Sequence, residues 1–210
     1  MKESKKYRRA SKNLHNTIIK LAEKYKPKRI IDLGSGYGGV PLKLVKEGFQ
    51  VTSTDINPKI NRAQNINCIK VDLNKKIKIK NKYDMVICTE VIEHLYNTKK
   101  LLNDAHNILN KEGLFIFSTP NNQNWFSRLF FLFTGKFPSF LGIPHGKDRD
   151  WFEPHITPIF TWQINLLIKD LFKIKEITFN RSVTPIIHIN LPIKNLFFGQ
   201  NLIMVLKKIN

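Results

Sequence analysis

The sequence predicts an α/β fold: a doubly wound, mostly parallel sheet with helices on both faces. Three observations carry this. The apolar run Ile30-Ile31 ends in Asp32 and then in a glycine turn, Gly34-Ser35-Gly36-Tyr37-Gly38-Gly39, which leads into the helical pattern Val40-Pro41-Leu42-Lys43-Leu44-Val45. Further apolar runs alternate with helical patterns across short links, as in βαβ units. Four of the predicted strands end in acidic residues, Asp32, Asp55, Asp72 and Glu90. A parallel sheet gathers such residues beyond its carboxyl ends, where open α/β sheets bind ligands. The 210 residues suffice for one domain with a full core. Hydrophobic residues at 42% and charged residues at 24% are an ordinary globular balance.

Taken in order, residues 1–28 form a basic N-terminal segment. Leu14, Ile18, Leu21 and Ala22 fall at helical spacing within it, and Pro27 ends that helix. Tyr7, Arg8 and Arg9 are candidates to reach an anionic ligand, against a solvated reading. Residues 29–210 read as one domain. Its first strand is Arg29–Leu33, its first helix runs from about Gly38 to Glu47, and Gly48 stops it. Strand two is Gln50–Thr54, and Pro58 opens a short helix at a favoured first-turn position. Strand three is Asn67–Val71, and the lysine-rich Asn74–Lys82 is a loop. The buried run Tyr83–Thr89 is strand four. Thr98 is the expected cap of a helix carrying Leu101, Leu102, Ala105, Ile108 and Leu109, with Gly113 after it. Strand five is Leu114–Ser118. Thr161 is the expected cap of a helix carrying Ile164, Leu167, Ile168 and Leu171. Lys173–Phe179 and Asn201–Lys207 are strands six and seven.

The formal net charge is +19. Such an excess points to an anionic partner, nucleic acid or an acidic membrane surface. The lysines are scattered, and Lys, Asn and Ile are all abundant, which a general compositional bias also produces. Cys68 and Cys88 lie in predicted strands without a partner at metal or redox spacing, as buried reduced thiols do. The basic N-terminus is not followed by an apolar signal region, and no apolar run is long enough to span a bilayer. The expected location is cytoplasmic, with peripheral contact at an anionic membrane surface as the variant that the charge allows.

The glycine turn alone leaves two ligands open. Gly34, Gly36 and Gly39 satisfy the dinucleotide pattern G-x-G-x-x-G, with Asp55 near the ribose distance. Gly34, Gly36 and Gly38 also satisfy the looser G-x-G-x-G of S-adenosylmethionine enzymes. The acids favour the second. Asp32 would repel a pyrophosphate, whereas a ribose diol, an adenine amino group and an ammonium are all donors that carboxylates accept.

The run Asp32-Leu33-Gly34-Ser35-Gly36-Tyr37-Gly38 resembles the first motif of class I methyltransferases. Glu90-Val91-Ile92-Glu93-His94-Leu95 and Phe117-Ser118-Thr119-Pro120-Asn121 resemble the branch that holds the ubiquinone-biosynthesis O-methyltransferases. The resemblance covers roughly residues 29 to 180. It implies a Rossmann-like, seven-stranded, mostly parallel sheet whose last strand returns antiparallel between strands five and six. It implies S-adenosylmethionine as cofactor, held by Asp32, Gly34, Ser35, Gly36, Gly38, Asp55, Ile56, Asp72, Leu73 and Glu90. Gly34 and Gly36 would approach the amino-acid end, Asp55 the ribose, and Asp72 with Leu73 the adenine. A side chain at Gly34 is expected to block the cofactor's approach.

Glu90, Glu93 and His94 form the chemical trio. A helix starting at Glu90 would place all three on one face. Two carboxylates and an imidazole can hold Mg²⁺, Mn²⁺ or Zn²⁺ and acidify an acceptor hydroxyl. E-x-x-E-H is similar to the metal motif of some ubiquinone-biosynthesis O-methyltransferases and of the small-RNA 2′-O-methyltransferases. The latter use a further downstream histidine, for which His145 and His155 are candidates. The metal-free reading makes His94 a general base, leaves Glu90 orienting the cofactor and puts Glu93 in a surface pair. Tyr96 and Lys100 spell the Y-x-x-x-K of short-chain dehydrogenases but follow strand four, so chance spacing accounts for them.

Residues 121–155 break the βα alternation and read as a lid or insert over the substrate. The aromatics of Trp125–Phe133 cover much of a helix circumference. The simplest reading is core packing under the lid; the sharper one is an interfacial helix. Trp151, Phe152, His155 and Trp162 are candidates to line a pocket. The expected activity is O-methylation of a hydroxyl on a small or lipid-linked acceptor. RNA 2′-O-methylation on the basic surface is the alternative, and a non-catalytic binding module the third.

Overall fold

β1 (Arg29–Leu33) lies near the centre of the sheet because four of its five residues are buried from both sides. The computed structural model describes residues 13–63, 65–141, 154–182 and 193–209. The other strands are β2 (Gln50–Asp55), β3 (Cys68–Lys70), β4 (Tyr83–Thr89), β5 (Leu109–Pro120), β6 (Phe172–Phe179) and β7 (Asn201–Lys208). They form one seven-stranded sheet in the order β3-β2-β1-β4-β5-β7-β6. β1 pairs in parallel with β2 and β4, β2 with β3, and β4 with β5. β7 runs antiparallel to both β5 and β6. The strands fall within a residue or two of their predicted limits, except β5. It begins at Leu109, which the apolar spacing assigned to the preceding helix. Glu112 takes a left-handed φ of 63°, and the β4 register shifts between Tyr83 and Met85, so a bulge lets pairing start before Gly113.

The helices are α1 (Leu14–Tyr25), α2 (Gly39–Lys46), α3 (Thr98–Ile108), α4 (Trp125–Thr134) and α5 (Thr161–Leu167). α1 and α2 cover one face: Leu14, Ile18, Val40 and Leu44 pack with Ile30, Met85 and Ile116. α3 and α5 cover the other, where Leu101, Ala105 and Ile164 meet Ile31, Val86 and Phe115. Alternate strand residues serve the two faces, the period-two rule of a sheet buried on both sides. The helix caps differ from expectation. Asn97, not Thr98, caps α3, its side chain accepting from Lys100 N at 2.9 Å. A side-chain amide reaches the third amide of the helix as well as a hydroxyl does. Thr161 is the first residue of α5 rather than its cap; its amide and hydroxyl both donate to Gln123 Oε1, at 2.7 and 3.1 Å. Among the described residues, no helix is long and apolar enough to cross a membrane.

Core packing does not account for α4. Asn124 caps it, accepting from Ser127 N at 2.8 Å, and a left-handed Gly135 closes it. Trp125 N donates to Phe197 O at 2.8 Å and Asn121 Nδ2 to Leu196 O and Gly199 O, which ties its base to the segment before β7. Yet of its ten residues only Ser127 is buried.

Candidate active site

The crevice forms where β3, β2, β1 and β4 end side by side, so parallel register brings Asp72, Asp55, Asp32 and Glu90 to one rim. The glycine turn after β1 supplies its floor. Gly34, Gly36 and Gly38 all have left-handed φ, at 74°, 51° and 82°. A Cβ at Gly34 would lie 2.7 Å from Val91 Cγ2, and one at Gly38 2.6 Å from Asn61 Oδ1. At Gly36 it would meet nothing within 4 Å. Gly34 is therefore a packing glycine as well: a side chain there would first meet Val91, a contact the sequence does not announce. Gly36 is the one that faces open space.

Asp55 holds the turn. Its Oδ2 accepts from Gly36 N at 2.8 Å and its Oδ1 from Asn57 N at 2.9 Å. Asn61 Nδ2 donates to Ser35 Oγ at 3.1 Å and Ser53 Oγ at 3.0 Å, a brace with no signal in the sequence. Asp32 is 2% exposed and its Oδ1 has no hydrogen-bond partner among the described residues. Burial, and then the charge of Asp55, push its carboxyl up to about 8. Leu73 is buried, whereas Ile56 stands exposed just beyond Asp55. Asp72 is turned to its own loop, accepting from Asn74 N at 3.0 Å and pairing with Lys75 at 3.4 Å. Tyr96 is exposed, and Lys100 Nζ is engaged by Leu73 O and Asp104, which leaves the Y-x-x-x-K spacing without a site.

The helix expected from Glu90 does not form. Glu90 takes a φ of 54°, and the helical piece is a single 3₁₀ turn, Ile92–His94. The reason is the bonding of Glu90 itself. Its amide donates to Ser118 O, and its carboxylate accepts from Ser118 Oγ at 2.9 Å and Asn201 Nδ2 at 2.6 Å. Burial raises this carboxyl to about 7, against the lowering effect of those two bonds. Ser118 belongs to the run Phe117–Asn121; Asn201, 111 residues away on β7, carries no local signal.

The predicted trio is therefore redrawn: Glu90 turns away, and Glu93, His94 and His155 come together. One donor atom from each lies within 4.8 Å of the others. His155 Nε2 is 3.8 Å from Glu93 Oε1, and the two imidazole centroids are 4.7 Å apart. Ile156 N and Thr157 N both donate to Glu93 O at 2.9 Å, and Thr157 Oγ1 to Leu95 O at 2.6 Å, stapling the two segments together. Glu93 is not in a surface pair but 0% exposed. Neither of its carboxylate oxygens has a partner at ordinary hydrogen-bond geometry among the described residues. Burial, then the charge of Glu90, raise it well above the carboxylate range. The cluster sits beside the glycine turn, since Val91 is the residue packed on Gly34. Tyr7, Arg8, Arg9, His145, Trp151 and Phe152 lie outside the described residues. Trp162 is 62% exposed and stacked on Phe160. From α4, ring contacts run through Phe131–Phe137 (4.7 Å) and Phe137–Phe140 (6.3 Å) to Phe140–His155 (5.4 Å).

A doubly wound sheet whose final strand is inserted antiparallel beside β5, with a glycine turn and acids at its carboxyl edge, defines the class I S-adenosylmethionine-dependent methyltransferases. The chain belongs to the methyltransferase domain family, whose model matches residues 5–154. It is 34% identical over 100 residues to a ubiquinone biosynthesis O-methyltransferase of Rickettsia bellii, covering 44% of this chain and 42% of that protein. To the protein of the same name from Rickettsia canadensis it is 32% identical over 118 residues, covering 52% and 47%. The matches thus span less than half the length of these curated relatives. Among solved structures, the chain is similar to a SAM-dependent methyltransferase from Archaeoglobus fulgidus, with a TM-score of 0.64, 18% identity and coverage of 92% and 94%. It is also similar to N-methyltransferase NodS of Bradyrhizobium japonicum in complex with S-adenosyl-L-homocysteine, with a TM-score of 0.60, 11% identity and coverage of 93% and 86%. At these identities the likeness establishes the fold.

Proposed function

We propose that the chain transfers the methyl group of S-adenosylmethionine to a hydroxyl of a small or lipid-linked acceptor. The observation that carries the choice of oxygen is the Glu93–His94–His155 cluster: a fully buried carboxyl with its nearest imidazole nitrogen at 3.8 Å, beside two imidazoles, next to the glycine turn. The cofactor would lie over Gly36, with the Gly34–Gly38 turn and Ser35 at its amino-acid end. Asp32 would supply an acceptor for its ammonium, with Glu90, held by Ser118 and Asn201, lining that end; Asp55 and Ile56 would flank the ribose, and Asp72 and Leu73 the adenine.

The acceptor oxygen attacks the methyl carbon in line with the sulfonium. The carbon–sulfur bond breaks, its electron pair stays on sulfur, and S-adenosylhomocysteine leaves. Most of the barrier is alignment, which the crevice supplies by fixing the cofactor. The hydroxyl proton has to go to a base, and His94 is placed for this, with His155 beside it. Burial and the charge of Glu90 raise the Glu93 carboxyl, and a positive charge at the cluster would oppose that shift.

The donor set fits a divalent cation: a buried carboxyl and two imidazoles, with one donor atom from each within 4.8 Å of the others. Two nitrogens favour Zn²⁺ or Mn²⁺ over Mg²⁺, which takes oxygen ligands. Bound there, such an ion would acidify the acceptor hydroxyl. Glu93, His94 and His155 would be its protein ligands; Glu90 is committed to Ser118 and Asn201.

Titration calorimetry with S-adenosylmethionine and, separately, NAD tests the cofactor. Saturable binding of the first alone is expected, and binding of NAD in its place would overturn the reading. Incubation with S-adenosylmethionine and an alkylated catechol should then give an O-methyl ether and an equal amount of S-adenosylhomocysteine. Methylation of amine acceptors with none of catechols would move the reaction to nitrogen.

A further inference from the structure

We propose that the exposed face of α4, continued by Trp162 and Leu166 of α5, docks on an anionic phospholipid bilayer. The surface is apolar where a water-facing helix should be polar. Leu132 is 74% and Phe133 78% exposed, with Leu129 at 47% and Phe131 at 46%. On α5, Trp162 and Leu166 are exposed at 62% and 71%. The patch is continuous: Phe131 stacks on Phe137, Phe137 meets Phe160, and Phe160 stacks on Trp162. Contiguous exposed apolar surface of this kind marks a docking site rather than the scattered leucines of an ordinary surface. The helix is capped at both ends and bonded to the segment before β7, so it is held out rather than frayed.

Charge names the occupant. From Gly113 to Lys147, and from Ile177 to the C-terminus, the sequence contains no Asp or Glu. The segments that build this face instead carry Arg128, Lys136 and Lys194, all exposed. Arg128 lies over the Phe197 ring, which places a cation directly at the apolar margin. Asp170, beyond the end of α5, is the acid closest in sequence to Trp162 among the described residues. An apolar stripe rimmed by cations, with no carboxylate on α4 or α5 among the described residues, complements anionic headgroups over an acyl layer. A second copy of the chain is disfavoured, since each copy carries a formal net charge of +19. The inference stands apart from the methyl-transfer reading. If both hold, the ring contacts from Phe131 to His155 lead from the membrane face toward the candidate active site.

The test is co-sedimentation of the full chain, without cofactor, with vesicles of phosphatidylcholine alone and of phosphatidylcholine mixed with phosphatidylglycerol. Binding to the mixed vesicles that falls with salt is expected, with little binding to the neutral ones. Leu132→Ser/Phe133→Ser removes two side chains outside the core, so the circular dichroism should be unchanged while the partition coefficient drops about tenfold or more. Lys136→Glu should weaken binding to the mixed vesicles while leaving the residual binding to neutral ones unchanged. Three results would overturn the proposal: indifference of the wild type to phosphatidylglycerol, wild-type partition by the double variant, or an oligomer that the double variant dissolves in place of vesicle binding. Retention of single-stranded RNA by wild type and double variant alike, with no vesicle binding, would assign the charge to nucleic acid and overturn it as well. Because no cofactor is present, failure here leaves the methyl-transfer reading to its own calorimetric test.

Discussion

Gly36→Ala separates the cofactor's floor from the packing of the turn. Gly36 has a φ of 51° and open space where a Cβ would go. The cost of alanine there is conformational only, roughly 1–2 kcal/mol for an L residue in the left-handed region. In a chain of this size that lowers Tm by about 2–4 °C per kcal/mol, so the variant should still fold. Its Cβ, however, occupies the space into which the cofactor would come. Gly34→Ala pays the same conformational cost at a φ of 74° and adds a contact of 2.7 Å with Val91 Cγ2. Overpacking of that kind typically costs a further 1–3 kcal/mol or so. The assay is thermal unfolding with and without S-adenosylhomocysteine. A ligand at about a hundred times its Kd should raise wild-type stability by about 2.7 kcal/mol. Gly36→Ala should lose most of that gain from a nearly normal starting Tm. Gly34→Ala should start lower, and Val91→Ala should restore part of its stability. A Gly36→Ala protein with the full ligand-induced rise would place the cofactor elsewhere. A Gly34→Ala protein no less stable than Gly36→Ala would refute the packing argument.

Three other predictions concern the buried acids. The Asp32 carboxyl lies at about 8 in the folded chain against 3.8 unfolded, and Glu90 at about 7 against 4.5. Both hold protons that the unfolded chain has released, so their contribution is whole below the unfolded values and is lost as pH rises through about 7 to 8. Urea denaturation from about pH 5 to 8 should show stability falling by up to about 1.4 kcal/mol per pH unit for each group, and Asp32→Asn should flatten the slope; a rising profile would refute the assignment. Asn201→Ala removes the 2.6 Å bond to Glu90. Loss of a buried hydrogen bond predicts about 1–3 kcal/mol of destabilisation and weaker cofactor binding in calorimetry; unchanged affinity would reduce Asn201 to a structural strut. Glu93→Gln should leave the metal-free Tm equal or higher, because a neutral amide replaces a carboxyl whose ionisation burial opposes, while abolishing any Tm rise on adding Mn²⁺ or Zn²⁺. A variant that keeps the metal response would remove Glu93 from the ligand set.

The sheet was legible because its signals are local and repeated. Ile30-Ile31, Tyr83–Thr89 and the glycine turn each announce an element within a few residues, and the order of elements fixes most of the topology. The position of β7 between β5 and β6 came only from resemblance. The site was half legible. Asp32, Asp55 and Glu90 could be read because they end strands, and parallel register does the rest. The geometry of Glu90, Glu93 and His94 could not, because i, i+3, i+4 spacing presupposes a helix. Here a side chain won over the backbone: Glu90 bonds Ser118 and Asn201 and bends the chain at a φ of 54°. His155 was one of two candidate downstream histidines, and the structure brings it to Glu93 and His94; Asn201 had no local signal, since it reaches the site by long-range packing. α4 misled in the opposite sense. Its aromatics read most simply as core, but a helix that is apolar around its circumference can equally lie at an apolar boundary outside the protein, and periodicity does not distinguish them.

The buried acids tell a common story. Asp32, Glu90 and Glu93 crowd the carboxyl edge of β1 and β4, the first and last out of water and Glu90 half-buried, each raised, and Cys88 behind them is raised well above the thiol range by burial, then Asp32 and Glu93. A core built for stability alone would not gather them, because every ionisation there is opposed by desolvation and by the neighbouring charges. The arrangement becomes favourable once a cation enters. S-adenosylmethionine brings a sulfonium and an ammonium, and the Glu93 cluster can accept a divalent ion. Either one turns raised, protonated acids into ionised partners and releases protons as it binds. Binding enthalpy should therefore vary with the ionisation enthalpy of the buffer near neutral pH, and the number of protons released should fall in Asp32→Asn. On the proposed reading, the cost of ionising these acids in the free crevice is what a positively charged ligand would relieve on binding.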